Sequence, residues 1–85
     1  DREKYPALDI AYEVLERGGT APCTMNGANE VAVAAFLNHK CRYTDIVASI
    51  RYALDNTSFE KHPTLATYDA ANIEARDLAR RFLKL

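Results

Sequence analysis

The sequence predicts an all-α protein, a small four-helix bundle with a central apolar helix, spanning residues 1–85 as a single domain. Three observations carry this. Three segments repeat apolar residues at the three- and four-residue spacing of one helix face, and a fourth is apolar on every side. Three Gly and three Pro are too few for the many turns of an all-β chain. A chain of 85 residues with 48% apolar content has enough material for one core and no more.

The first helix is expected over Pro6–Arg17, with Pro at a position where its missing N–H costs nothing. Leu8, Ala11, Tyr12 and Leu15 are spaced as one buried face, which Ile10 and Val14 widen. Asp9, Glu13, Glu16 and Arg17 are assigned to water, with Glu13 and Arg17 as an i,i+4 pair. Gly18-Gly19 ends the helix because Gly adopts positive φ without penalty, and Pro22 is expected in the loop that follows.

The second helix is expected over residues 28–38. By period alone its stretch Val31-Ala32-Val33-Ala34-Ala35-Phe36-Leu37 could be a buried strand, but its three alanines and polar lead-in favour a helix. With no polar face, other helices should surround it. Asn26-Gly27-Ala28-Asn29-Glu30 reads as its lead-in. Asn26 or Gly27 would be the N-cap, and Glu30 would sit near the positive end of the helix dipole. Phe36 is the central core residue of this reading.

Thr44 is expected to cap the third helix, with Asp45 in its first turn. Its buried stripe would be Ile46, Val47, Ile50, Ala53 and Leu54, leaving Ser49, Arg51 and Asp55 outside. A polar loop over residues 56–63 would be anchored by Phe59. The fourth helix is expected over residues 64–83, with Leu65, Tyr68, Ala71 or Asn72, Ala75, Leu78 or Ala79, and Phe82 inward. Arg76, Arg80, Arg81 and Lys84 load its last turns and read as a solvated face that complements the dipole.

Composition narrows the function classes. Eleven basic against twelve acidic side chains leave a formal net charge of −1, unlike a dedicated nucleic-acid binder. No polybasic membrane patch and no span of about 20 apolar residues is present. The opening Asp1-Arg2-Glu3-Lys4 has no apolar stretch behind it, so no signal peptide is expected there, and a first residue other than Met suggests a piece of a longer chain. Cys23 and Cys41 read as reduced thiols of a cytoplasmic protein rather than a disulfide framework.

The chain is poor in catalytic chemistry. Cys23, His39, Cys41 and His62 lack the paired spacing of zinc ligands. Cys23, His39 and Asn26 can be assembled into a nucleophile, base and orienting amide, but triads are defined by geometry rather than inventory. The cluster Asn26, Asn29, Glu30 could hold a ligand or anion, yet the same residues commonly cap helices and lock loops. From the residues alone, no catalytic, cofactor-binding or metal-binding residue is assigned. Asn26, Asn29, Glu30 and Phe36 are assigned as a structural motif.

The motif has a relative. Asn26-Gly27-Ala28-Asn29-Glu30-Val31-Ala32-Val33, continuing to Ala35-Phe36-Leu37, resembles the Asn-Ala-Ala-Asn-Glu stretch of the 1-deoxy-D-xylulose 5-phosphate reductoisomerase family. The likeness extends to the charged lead into Tyr5-Pro6, to Gly18-Gly19, to Tyr43-Thr44-Asp45-Ile46 and to the run from Ile73 to Arg80. Gly27 stands where Ala is common in that family, Cys41 where an aliphatic residue is frequent, and Asn72 where Asp is frequent.

The resemblance implies the C-terminal helical domain of an enzyme of the methylerythritol phosphate route to isoprenoids. Such an enzyme rearranges its substrate and reduces the product with NADPH, aided by Mg2+ or Mn2+, to 2-C-methyl-D-erythritol 4-phosphate. It implies that the nucleotide-binding, metal-binding and phosphate-gripping residues lie upstream, so that this segment by itself binds no cofactor and is inactive. The implied partners are the catalytic and NADPH-binding domains of the same chain, in a homodimer, with no nucleic acid or membrane. The implied location is the bacterial cytoplasm, or a plastid in a eukaryote. Tyr5, Tyr12, Tyr52 and Phe59 are candidates for the surface facing those domains. An independent helical interaction module is the alternative, and a self-contained small enzyme using Cys23, Asn26, Asn29 and Glu30 is a third.

Overall fold

The computed structural model describes residues 6–85. The charged lead over residues 1–5, and with it Tyr5, lies outside the described residues. Four helices follow in order, α1 (Pro6–Arg17), α2 (Ala21–Leu37), α3 (Tyr43–Asn56) and α4 (Leu65–Leu83), with no strand among the described residues. α1 and α4 keep the boundaries expected from local signals to within a residue, and α3 starts two residues before a Thr44 cap would place it. α2 departs further.

α2 starts seven residues earlier than expected, at Ala21. Pro22 lies in its first turn, where the missing N–H has no partner to lose, so it opens the helix instead of breaking the chain. Asn26, Gly27, Asn29 and Glu30 are therefore interior helix residues, and the capping role expected of Asn26 or Gly27 is overturned. The sharp turn before α2 is made by Gly18 and Gly19 at φ +63° and +53°. At its other end α2 closes with Lys40 N–H bonded to Ala35 O at 2.8 Å and His39 N–H to Phe36 O at 3.0 Å. This is a Schellman closure with His39, at φ 60°, in the left-handed position usually given to Gly.

α3 begins at Tyr43, and Thr44 is not its cap. Instead the Asp45 carboxylate accepts the Arg42 N–H at 2.8 Å. That bond first, and the Arg42 side chain after it, holds the Asp45 carboxyl below its ordinary range. α4 starts at Leu65, and Thr64, expected as its first residue, is its cap, with Thr64 Oγ1 accepting from Thr67 N–H at 3.3 Å.

α2 packs on both α3 and α4, which also touch each other, and α1 rests on α2 and α3. The α2–α4 seam is made of small residues, Gly27 and Ala28 facing Ala71, Ala75 and Ala79, all buried. A Cβ on Gly27 would stand 3.3 Å from Asn72 O and 3.4 Å from Ala75 Cβ, so the close approach uses the missing side chain. The rest of the core is Ile10, Val14, Val31, Ile50, Ala53, Leu54 and Leu78. Ser49, assigned to the outside, is fully buried and donates to Ile46 O at 2.8 Å.

The domain measures 36 × 32 × 17 Å. Packed helices lie about 8–10 Å apart between axes, so the thin dimension holds no more than two helix layers. That shape explains the main departure from expectation. α2 has neighbours along its length but is not enclosed: Val31, Ala32 and Ala35 are buried, Val33 and Phe36 half-buried, and Ala34 and Leu37 exposed. In α1 the expected buried stripe is largely the open one. Leu8, Tyr12 and Leu15 are 53%, 61% and 75% exposed, and Ile10 with Val14 faces the core. The expected ends of the α4 stripe, Leu65 and Phe82, are exposed as well.

Polar links lock the connections. Thr57 Oγ1 and Ser58 N–H both donate to Glu74 Oε1 at 2.6 Å, which ties the loop after α3 to α4. Glu13 feels the charge of Arg17 but makes its close ion pair elsewhere. Its carboxylate takes Arg51 Nη1 at 2.8 Å across to α3, and the Arg17 guanidinium lies 4.9 Å over the Phe59 ring. Arg76 likewise leaves the expected solvated face, bonding Glu30 of α2 and, at 2.8 Å, Asn72 Oδ1.

Candidate functional site

A slab of this thickness leaves the notch where α1 crosses α2 and α3 open on one side. The notch is a trough of about 560 Å³. Ala7, Ala11 and Leu15 of α1 form one wall, and Pro22, Met25 and Val33 of α2 form the other. Ile46, Val47 and Ile50 of α3 make the floor, and Tyr43 stands at one end. Tyr43 is 73% exposed and its ring meets Phe36 edge-on, 5.7 Å between centroids. The trough walls are apolar except at Asn26 and Asn29, which sit one turn apart on the α2 side.

These two amides are the sequence-assigned residues that the structure brings into the trough. Neither side chain finds a hydrogen-bond partner among the described residues. Asn is a poorer helix former than Ala by up to about 0.7 kcal/mol in a helix interior, so two of them here add nothing to α2 itself. Glu30, the third residue of the motif, turns away from the trough to Arg76 and joins α2 to α4. Phe36 is half-buried beside Tyr43 rather than at the centre of the core. Tyr43 is the site residue that sequence reasoning missed. Its aromatic ring at a helix start, next to the Phe36-Leu37 end of α2, was the available signal.

The remaining candidates do not converge. Cys23 lies in the first turns of α2 and donates to Tyr68 O at 3.3 Å. His39 lies past the far end of the same helix, so with 1.5 Å of rise per residue the two are separated by roughly 24 Å. That distance dismantles the nucleophile–base pairing with Cys23. Cys41 packs near Ala32 O at 3.7 Å, and burial, then the Asp45 charge, pushes its thiol above the ordinary value. Its environment disfavours the thiolate. Among the described residues no three His, Cys, Asp or Glu side chains gather into a metal-binding group. No step through a metal is derived for this segment. No helix of the structure is long and apolar enough to cross a membrane.

Of the aromatic candidates for an interface, Tyr12 is on the open α1 face. Tyr52 is packed against Phe82, 5.3 Å between ring centroids, and Phe59 lies under Arg17. Those two are used within the domain.

Fold and trough together define a class: a small four-helix domain with one open apolar face. Residues 1–78 match the family model described as the DXP reductoisomerase C-terminal domain. The chain belongs to that family. It is 42% identical to the 1-deoxy-D-xylulose 5-phosphate reductoisomerase of Ralstonia pickettii over 83 residues, covering 98% of this chain and 21% of that one. The enzyme of the same name from Pelodictyon phaeoclathratiforme is 40% identical, over 98% of this chain and 22% of its own. The Bacteroides fragilis enzyme is 39% identical, over 98% and 21%. The chain thus spans about a fifth of the length of these relatives.

Proposed function

We propose that residues 1–85 are the last domain of a longer 1-deoxy-D-xylulose 5-phosphate reductoisomerase and that they support turnover without performing it. The observation that carries this is the pairing of two coverages: relatives of that name match 98% of this chain but only 21% of their own. In this reading the upstream polypeptide holds NADPH and a divalent metal, Mg2+ or Mn2+. It rearranges the substrate and reduces the resulting aldehyde to 2-C-methyl-D-erythritol 4-phosphate, as a cytoplasmic homodimer.

The contribution of this domain is mechanical. A rigid helical slab fixed beside the catalytic domain restricts where that domain and its loops travel, and so favours closure over the substrate. The links Glu30–Arg76, Glu13–Arg51 and Glu74–Thr57 supply that rigidity by tying helices and loops that lie far apart in sequence.

The open apolar face also suits an independent helical module that binds an unrelated partner. The two readings part on the polypeptide upstream of Asp1. The enzyme reading expects a dinucleotide-binding domain and an acidic metal site there, and NADPH oxidation by the full-length polypeptide with 1-deoxy-D-xylulose 5-phosphate and Mn2+. The 85-residue chain alone is expected to oxidise none. An unrelated upstream domain, or turnover by the isolated chain, would refute the proposal.

A further inference from the structure

We infer that an apolar stretch of the polypeptide N-terminal to this domain, in the same chain, docks in the α1–α2–α3 trough and that Asn26 and Asn29 hydrogen-bond its backbone. The inference rests on the reading of this chain as the final domain of a longer reductoisomerase.

The first argument is the pattern of apolar residues. Leu8, Ala11, Tyr12 and Leu15 form a complete helical stripe, yet Leu8, Tyr12 and Leu15 are left in water. A contiguous apolar face beside an open trough is the signature of a surface covered by something else. The exposed apolar residues of α4 lie beside charged side chains rather than beside an apolar trough. Ile73, for instance, lines a hollow with Asn56, Glu74, Asp77 and Arg81.

The second argument is polar. Two amides in an apolar trough, unpaired within the described residues, offer donors and acceptors to a backbone lying along it. An apolar side chain at either position would not fix the register of such a segment.

The third argument concerns which polypeptide is at hand. In the relatives about four-fifths of the chain lies outside the matched segment, and the matched family is a C-terminal domain, so that length is upstream. Upstream chain joins α1 at Pro6. With Asp9 and Thr44, Pro6 lines a second hollow that shares Tyr43 and Val47 with the trough. A segment tethered there meets the trough at an effective concentration in the millimolar range. A second copy of the chain has no such advantage.

The test places the photo-crosslinking residue benzoylphenylalanine at position 15 of this numbering in the full-length polypeptide, with the same residue at position 73 as the control. Position 15 is expected to give intrachain cross-links to sequence upstream of this domain, roughly tenfold or more above position 73, as a tethered contact should. Cross-links between two copies, cross-links confined to residues 6–85, or equal yields from position 73 would overturn the inference. If the polypeptide oxidises NADPH but position 15 reaches nothing upstream, the docking inference alone fails. If no reductoisomerase polypeptide precedes the domain, the functional reading fails with it.

Discussion

Thr20 and Glu60 hold each other through two hydrogen bonds: Thr20 N–H donates to Glu60 O at 2.9 Å, and Glu60 N–H donates to Thr20 Oγ1 at 3.0 Å. Thr20 is fully buried, so this exchange fixes the loop after α3 against the start of α2. Gly19 makes it possible, because a Cβ there would collide with the Glu60 carbonyl. Thr20→Val leaves the Glu60 N–H without its acceptor and is expected to cost about 1–3 kcal/mol. Gly19→Ala adds positive-φ strain of about 1–2 kcal/mol to that collision. Urea unfolding should show both, and an unchanged midpoint for Gly19→Ala would mean that the loop does not sit there.

Glu74 sets an acid limit on stability. Hydrogen bonds from Thr57 and then from the Ser58 backbone hold its carboxyl below the ordinary 4.5. The folded state therefore binds fewer protons than the unfolded state in this window, and stability rises with pH there. The contribution is complete above about pH 4.5 and is lost as pH falls through the lowered folded value. Glu13, lowered chiefly by its Arg51 hydrogen bond, acts in the same direction. Glu74→Gln should be less stable at neutral pH and show a shallower loss below pH 4.5, measured by thermal melts across pH. A parallel pH profile would contradict the bonding.

His39 carries avoidable strain. It occupies the left-handed position at the end of α2 at φ 60°, and its side chain is exposed. His39→Gly is expected to stabilise the domain by about 1 kcal/mol, which raises the melting temperature of a domain this size by about 4–8 °C. A lower melting temperature would show an unrecognised role for the imidazole.

The orientation of α1 can be read from two alanine substitutions in the 85-residue chain. Ile10 is buried, and Ile10→Ala should cost about 2–5 kcal/mol. Leu15 is exposed, and Leu15→Ala should change stability by no more than about 0.5 kcal/mol. The reverse order would restore the stripe expected from sequence.

The errors of sequence reading have a common physical origin. Helix ends decided by local chemistry, such as the Gly18-Gly19 stop and the start of α4 near residue 64, are legible because a few adjacent residues determine them. The start of α2 was misread because Pro22 is compatible with both a loop and a first turn. In α1 Ile10 and Val14 are buried as expected while Leu8, Tyr12 and Leu15, placed on the same face, are open, because periodicity tells which residues recur together and not what covers them. Phe36 was placed at the centre for the same reason. Half-buried as it is, Phe36→Ala should cost less than the 3–5 kcal/mol typical of a fully enclosed Phe. In the candidate site, Asn26 and Asn29 were singled out with a capping role they do not have. The Glu30–Arg76 and Glu13–Arg51 links join distant parts of the chain, and nothing in local spacing announces them.

The proposed supporting role separates closure over the substrate from cofactor binding. The most direct measurement compares the full-length polypeptide with a version ending before Asp1, by NADPH binding and by steady-state NADPH oxidation with 1-deoxy-D-xylulose 5-phosphate. The account predicts that the shortened enzyme still binds NADPH while its kcat falls by at least about tenfold, a loss of closure rather than of cofactor. A shortened enzyme that turns over at the full rate, or one that loses NADPH binding because the nucleotide site left with residues 1–85, would contradict it.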